Sequence, residues 1–292
     1  MIKKIAAATA AAVCTVAATE ITKKSIKQAK AEKVDGTGQT VLITGGSNGI
    51  GRAVSEIFAK HNFDLVLAAR NEEKLRAAAD ELTKKYGVNV QTIRADLSSC
   101  DGAKKLCSEL QSRNITVNQF VNNAGAGKSS DLADTDMQTL TDLITLNVTS
   151  VTLLNKYIVS EMLKNNGGKI LTVASLSGYL PDPGLNVYGP TKAYERYLGE
   201  AMYGELSGTG ISVSTLCPGP VKTGWSENAG RKDSVFSLDV DYVAKEAFTG
   251  MQNGDLIIVP GVKFKALRLA ANFVPTTVRI KLLRRFQNSL KG

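Results

Sequence analysis

VLITGGSNGIGRAVSEIFAK, residues 41–60, decides the fold. A short apolar run, TVLIT at 40–44, passes through a glycine-rich turn into an amphipathic stretch, so a strand feeds directly into a helix. The turn, Thr44 to Gly51, carries glycines at 45, 49 and 51 in a TGxxxGxG spacing. Such a turn lets the backbone approach a pyrophosphate closely. The helix behind it offers free N–H groups and the positive end of its dipole. A glycine pattern alone is also compatible with an ordinary tight turn; its place between strand and helix favours the phosphate cradle.

The same alternation continues outward. Apolar runs stand at 40–44, 64–69, 88–93, 119–123, 169–175, 211–216 and 255–259, with helical patterns near 49–61, 71–86, 100–113, 134–164, 186–207 and 239–252. Near-continuous apolar strands separated by helices imply a parallel sheet covered on both faces. Right-handed crossovers make it an α/β, doubly wound, Rossmann-like fold. The boundaries expected are an Ala/Lys-rich extension at 1–37, one dinucleotide-binding catalytic domain at 38–260, and a basic amphipathic tail at 261–292.

The net charge of +9 sits at the ends. Residues 1–33 carry +5 and residues 256–292 carry +8 with no acid, which leaves −4 for the body. This distribution argues against a nucleic-acid face and for ends that touch an anionic bilayer surface, since the tail mixes its charges with Phe, Leu and Ile. The four cysteines form no CxxC pair and read as free thiols in a reducing, cytoplasmic setting. One histidine, His61, leaves histidine triads and His-rich metal sites without ligands, so no metal is expected. Residues 1–18 begin with basic MIKK, then an Ala-rich run, then Val16-Ala17-Ala18. They read as a surface anchor or marginal span, a plain helix, or a cleaved signal.

At the end of the second strand, where an acid would bind a ribose diol, stands Ala68-Ala69-Arg70-Asn71. Arg70, helped by Arg52, can pair with a 2′-phosphate instead, which selects NADP(H). Tyr188 precedes Lys192 by one helical turn in VYGPTKAYE, 187–195. An ammonium within about 4–5 Å, at an effective dielectric near 20, stabilises a phenolate by roughly 3–4 kcal/mol. The expectation is a Tyr188 that titrates near neutrality and exchanges a proton with substrate. Ser175, at the end of the fifth strand, can hydrogen-bond a substrate oxygen. Asn147 lies inside a helical pattern that disfavours it. Each of these is also compatible with a satisfied structural role.

TGGSNGIG (44–51), ADL (95–97), NNAG (122–125), Asn147, Ser175, YGPTK (188–192) and CPGPVKT (217–223), in this order and spacing, resemble the short-chain dehydrogenase/reductase family across roughly 38–260. Within it the chain looks like the branch of hydroxysteroid dehydrogenases and 3-oxoacyl reductases. The resemblance implies Tyr188 as general acid/base and Lys192 as the residue that lowers the tyrosine pKa and binds the nicotinamide ribose. Ser175 would orient the carbonyl, and Asn147 would hold a relay water. The implied cofactor set is Gly45, Ser47, Asn48, Gly49, Ile50, Gly51, Arg52, Arg70, Asp96, Leu97, Asn123, Ala124, Gly125, Tyr188, Lys192, Pro218, Gly219, Val221 and Thr223. It also implies a homodimer or homotetramer.

Residues 224–240 form the expected substrate loop, with Trp225 and Phe236 as a lid or as packing residues. Leu282, Leu283, Phe286 and Leu290 share a helical face in the tail, which suits either a membrane interface or packing on the body or a second subunit. The function expected is NADP(H)-dependent hydride transfer between nicotinamide and a small-molecule lipophilic carbonyl or secondary alcohol. The alternative is a catalytically silent NADP-binding redox sensor.

Overall fold

The computed structural model describes residues 22–290. The Ala-rich run, Cys14 and Val16-Ala17-Ala18 lie outside the described residues. The chain divides into two compact units, with the boundary between Val34 and Asp35 in the sequence. In the first, residues 22–32 are helical (α1).

The second unit is built on seven parallel strands: β1 (Thr40–Thr44), β2 (Asp64–Ala69), β3 (Val90–Arg94), β4 (Gln119–Asn122), β5 (Gly168–Val173), β6 (Ile211–Leu216) and β7 (Ile257–Ile258). Their order is β3-β2-β1-β4-β5-β6-β7. The chain winds outward from β1 to β3 and then crosses back to β4, so the strand order reverses between β1 and β4. A crevice opens there, beyond the carboxyl ends of the strands. Thr44, the last residue of β1, ties the reversal together. Its hydroxyl accepts the amides of Asn123 at 2.9 Å and Ala124 at 3.0 Å, while Asn123 Nδ2 donates to its carbonyl at 2.8 Å.

The helices are α2 (Gly49–Lys60), α3 (Glu72–Tyr86), α4 (Gly102–Ser112), α5 (Met137–Ile144), α6 (Val151–Lys164), α7 (Tyr188–Glu205), α8 (Trp225–Asn228), α9 (Val240–Asn253), α10 (Val262–Ala270) and α11 (Thr276–Leu290). On one sheet face, Leu42, Val66, Phe120, Ile170 and Val213 pack with Leu106 of α4, Ile158 of α6 and Met202 of α7. On the other, Phe58 of α2 meets Phe63 and Phe248 of α9 edge-on, each pair 5.0 Å apart. Such aromatic pairs add about 0.5–1.5 kcal/mol beyond the area they bury.

The stretch expected as one helix at 134–164 is helical without a break over 137–164, but it is not one regular α-helix. Residues 145–150 form a π-helical turn between α5 and α6. The tail from 261 onward is mostly two helices that belong to the second unit. Among the described residues, no helix is long and apolar enough to cross a membrane, and no group of His, Cys, Asp or Glu could hold a metal ion.

Candidate active site

β5 ends at Val173, and the chain turns through Ser175, whose hydroxyl accepts the amide of Ser177 at 3.1 Å. α7 opens on Tyr188, with Lys192 one turn later. Pro190, third in this helix, sits in the first turn, where amides have no intrahelical partner. Tyr188, Lys192 and Ser175 are all buried. The Lys192 ammonium stands 5.8 Å from the centre of the Tyr188 ring. It donates to the Val173 carbonyl at 2.9 Å and to the two carboxylate oxygens of Glu195 at 2.8 and 2.9 Å.

That partner changes the electrostatics. The lysine was expected to bring Tyr188 down toward neutral pH. In the structure the phenol lies above its ordinary value instead. Burial is the largest cause, and it outweighs the pull of Lys192 and the hydrogen bond from Ser175; Glu195 and Asp182 push further upward. A phenolate taken out of water loses more hydration than one partly compensated ammonium returns.

Asn147 sits in the π turn and is fully buried. Its Oδ1 accepts the Ala126 amide at 3.1 Å, and its Nδ2 donates to the Ala126 carbonyl at 2.9 Å and to Thr191 Oγ1 at 3.0 Å. The widened turn thus aims an asparagine at the strand-four loop and at the helix that carries Tyr188. A Cβ on Gly125 would stand 3.0 Å from Lys192 Nζ, so this glycine keeps the lysine's space open.

A cleft of about 800 Å³ runs from the glycine turn to this corner. Gly45, Ser47, Asn48, Gly49 and Ile50 line it, together with Leu97, Asn123, Ala124, Gly125, Pro218, Gly219, Val221 and Thr223. The residues fit a dinucleotide. Gly45 and Gly49 have φ of +67° and +54°, so the turn bends the way a side chain would resist. Gly49 and Ile50, the first residues of α2, line the same space. Arg70 is exposed at the cleft edge. Asn71 and Lys74 join it there; neither stood out in the sequence. Asn71 also caps α3 by accepting the Lys74 amide at 2.8 Å.

Three expected cofactor residues, Arg52, Asp96 and Gly51, are not among the residues that line the cleft. Arg52 is held by Glu56 at 3.1 Å and Glu81 at 2.8 Å, away from the cleft lining. One oxygen of the Asp96 carboxylate, Oδ1, accepts the Ser98 amide at 3.1 Å and the Ser98 hydroxyl at 2.6 Å. Gly51 has a packing role: a Cβ there would meet the Gly45 carbonyl at 2.3 Å.

The far side of the cleft is apolar. Trp225 of α8 lies against Tyr188, ring centres 4.9 Å apart. Phe236, Phe264, Leu267, Leu283 and Phe286 continue the wall. The segment carrying Trp225 is a closed excursion, since the Lys222 amide donates to the Leu238 carbonyl at 2.9 Å and the Leu238 amide to the Pro220 carbonyl at 2.8 Å. Helix α11 is pinned over this side by Arg284, which donates to Asp131 at 2.6 Å. Gln287 bridges Arg231 and Asp182.

Comparison with known proteins accords with this geometry. Residues 39–234 match the short chain dehydrogenase family. The chain belongs to that family. It is 32% identical over 191 residues to the very-long-chain 3-oxoacyl-CoA reductase of Bos taurus, a match that covers 64% of this chain and 60% of the relative. A short-chain dehydrogenase from Sphingobium yanoikuyae in complex with NADPH is 31% identical, with a TM-score of 0.74 over 80% of this chain and 93% of that one. The bulky-bulky ketone specific alcohol dehydrogenase from Comamonas testosteroni is 27% identical, with a TM-score of 0.70 over 80% and 92%.

Within this family frame, Glu195 and the polar contacts of Arg284 and Gln287 that hold α11 are what sequence reading missed. Glu195 follows Lys192 by three positions, which places both on one helical face. Nothing local shows that this face is the buried one.

Proposed function

We propose that the protein is an NADP(H)-dependent carbonyl reductase or alcohol dehydrogenase acting on a lipophilic substrate such as a steroid or 3-oxoacyl compound. The observation that carries it is Tyr188, with Lys192 and Ser175, at the end of a dinucleotide-sized cleft. A bound nicotinamide supplies or accepts the hydride at the carbonyl carbon. Tyr188 gives the proton to the carbonyl oxygen, or takes it back in oxidation. Ser175 donates a hydrogen bond to that oxygen as charge develops. Lys192, held against Val173, attracts the ribose hydroxyls and tempers the phenolate. Arg70 and Lys74, with no acid at the end of β2, favour the cofactor that carries a 2′-phosphate. The aromatic and leucine wall favours a lipophilic carbonyl.

Purified protein, NADPH and a panel of steroids, 3-oxoacyl thioesters and diketones, followed at the nicotinamide absorbance, test the reading. Turnover that disappears in Tyr188→Phe supports it. NADPH binding without turnover of any compound would favour a silent dinucleotide sensor instead.

The reading extends to the surroundings of the site. Exposed Val262, Leu269, Phe273 and Leu282 stand among Lys263, Lys265, Arg279 and Arg285, which suits peripheral contact with the anionic cytoplasmic face of a membrane. Exposed Tyr197 and Tyr203 on α7 suit a homodimer or homotetramer contact. Sedimentation with anionic liposomes and analytical ultracentrifugation check these two extensions separately.

A further inference from the structure

Glu195 is 1% exposed, and its carboxylate spends both oxygens on Lys192. A buried ion pair often gives no more stability than apolar residues of the same volume, so a purely structural role accounts poorly for it. An ammonium has three donors. One goes to Val173 and at least one to Glu195, which fixes the direction of the lysine head.

The charges around Tyr188 come in balanced twos. Lys192 and Glu195 face it from α7 itself. Asp182, in the segment ahead of α7, and Arg231, in the turn after α8, line the same cleft and act on it electrostatically. Cys217, at the end of β6, stands near Lys192, but burial pushes its thiol to about 12, so it brings no charge. Two cations thus meet two carboxyl groups, and little net positive field is left to draw the proton off the phenol.

We propose that Glu195 is a positioning residue of this site, a buried carboxylate that clamps Lys192 and offsets its charge so that Tyr188 stays protonated and the site is set as a proton donor for carbonyl reduction. The inference rests on the reductase reading and deepens it. With the clamp present, the resting site holds the proton that reduction consumes. Oxidation of an alcohol needs the phenolate, and so requires a higher pH.

The test replaces the charge and keeps the shape: Glu195→Gln. Titration of Tyr188 is read from the ultraviolet difference between each protein and its Tyr188→Phe counterpart, without cofactor or turnover. The phenol should titrate roughly one to two pH units lower in Glu195→Gln, the scale of one unit charge at short range and an effective dielectric near 20. The alkaline rise of kcat/KM for alcohol oxidation should move down by the same amount. Glu195→Asp, which draws the carboxylate back from the lysine, should move both by less in the same direction. It serves as the second variant should Glu195→Gln not fold. An unmoved phenol in a folded variant overturns the proposal even if ketones are reduced. A moved phenol in a protein that turns over nothing would leave this inference standing and sink the reductase reading alone.

Discussion

Removing the lysine of the buried pair separates stability from chemistry. In Lys192→Met the Glu195 carboxylate stays behind at 1% exposure with no counter-ion. Breaking one partner out of a buried pair costs about 3–5 kcal/mol. For a domain of this size that is a fall in Tm of roughly 10 °C or more. The pH dependence has a definite sign. Burial already raises the Glu195 carboxyl from 4.5 to about 7, against the pull of Lys192. A group raised in the folded state contributes stability below its unfolded value and loses it as pH rises through the folded value. In the native protein this loss falls between 4.5 and about 7; without the lysine the carboxyl climbs further and the loss continues to higher pH. Thermal unfolding by circular dichroism, from about pH 5 to 9, should show the gap between Lys192→Met and the native protein widening as pH rises. The double variant Lys192→Met/Glu195→Gln should recover most of the lost stability and none of the activity. A Lys192→Met protein as stable as the native one at the alkaline end would refute the buried pair. So would two substitutions whose effects simply add.

Three further outcomes follow from the geometry. Gly51→Ala should destabilise the protein by about 2–4 kcal/mol, because its Cβ would stand 2.3 Å from the Gly45 carbonyl and 2.5 Å from Asn123 Nδ2; a native Tm would contradict it. Arg70→Ala should cut kcat/KM for NADPH by roughly ten-fold or more and leave NADH nearly unchanged, the expected loss of one charge-assisted contact to phosphate, whereas Arg52→Ala should leave the NADPH/NADH ratio alone, since Glu56 and Glu81 already hold Arg52. Among Cys100, Cys107 and Cys217, alkylation of the folded protein at neutral pH should mark Cys100, which is exposed; burial pushes Cys107 to about 11 and Cys217 to about 12, so both stay as unreactive thiols.

Much of this protein was determined by local pattern. Strands β1, β2 and β6 lie at the limits that their apolar runs mark, because a run of Val, Ile and Leu bounded by polar turns has one favourable fate in a covered sheet. The glycine turn and the Tyr188–Lys192 spacing were legible for the same reason: backbone freedom and helical periodicity act over a few residues. Asn147 was readable as an anomaly, but its cause, a π turn clasping Ala126 and Thr191, joins residues 21 and 44 positions apart.

What required the tertiary structure is the strength and direction of each charge. Arg52 and Arg70 look alike along the chain, yet only Arg70 reaches the cleft lining, because Glu81 of α3 holds Arg52 elsewhere. Lys192 reads as a lone cation until packing buries Glu195 against it, and the phenol it was expected to acidify rises instead. Which side of helix α11 turns toward the body is decided by Arg284 meeting Asp131 across 153 positions, while Leu282 stays exposed. Spacing tells which side chains share a helix face. Only the assembled fold tells which face loses its water, and that loss sets what a buried charge costs and what its neighbour must do.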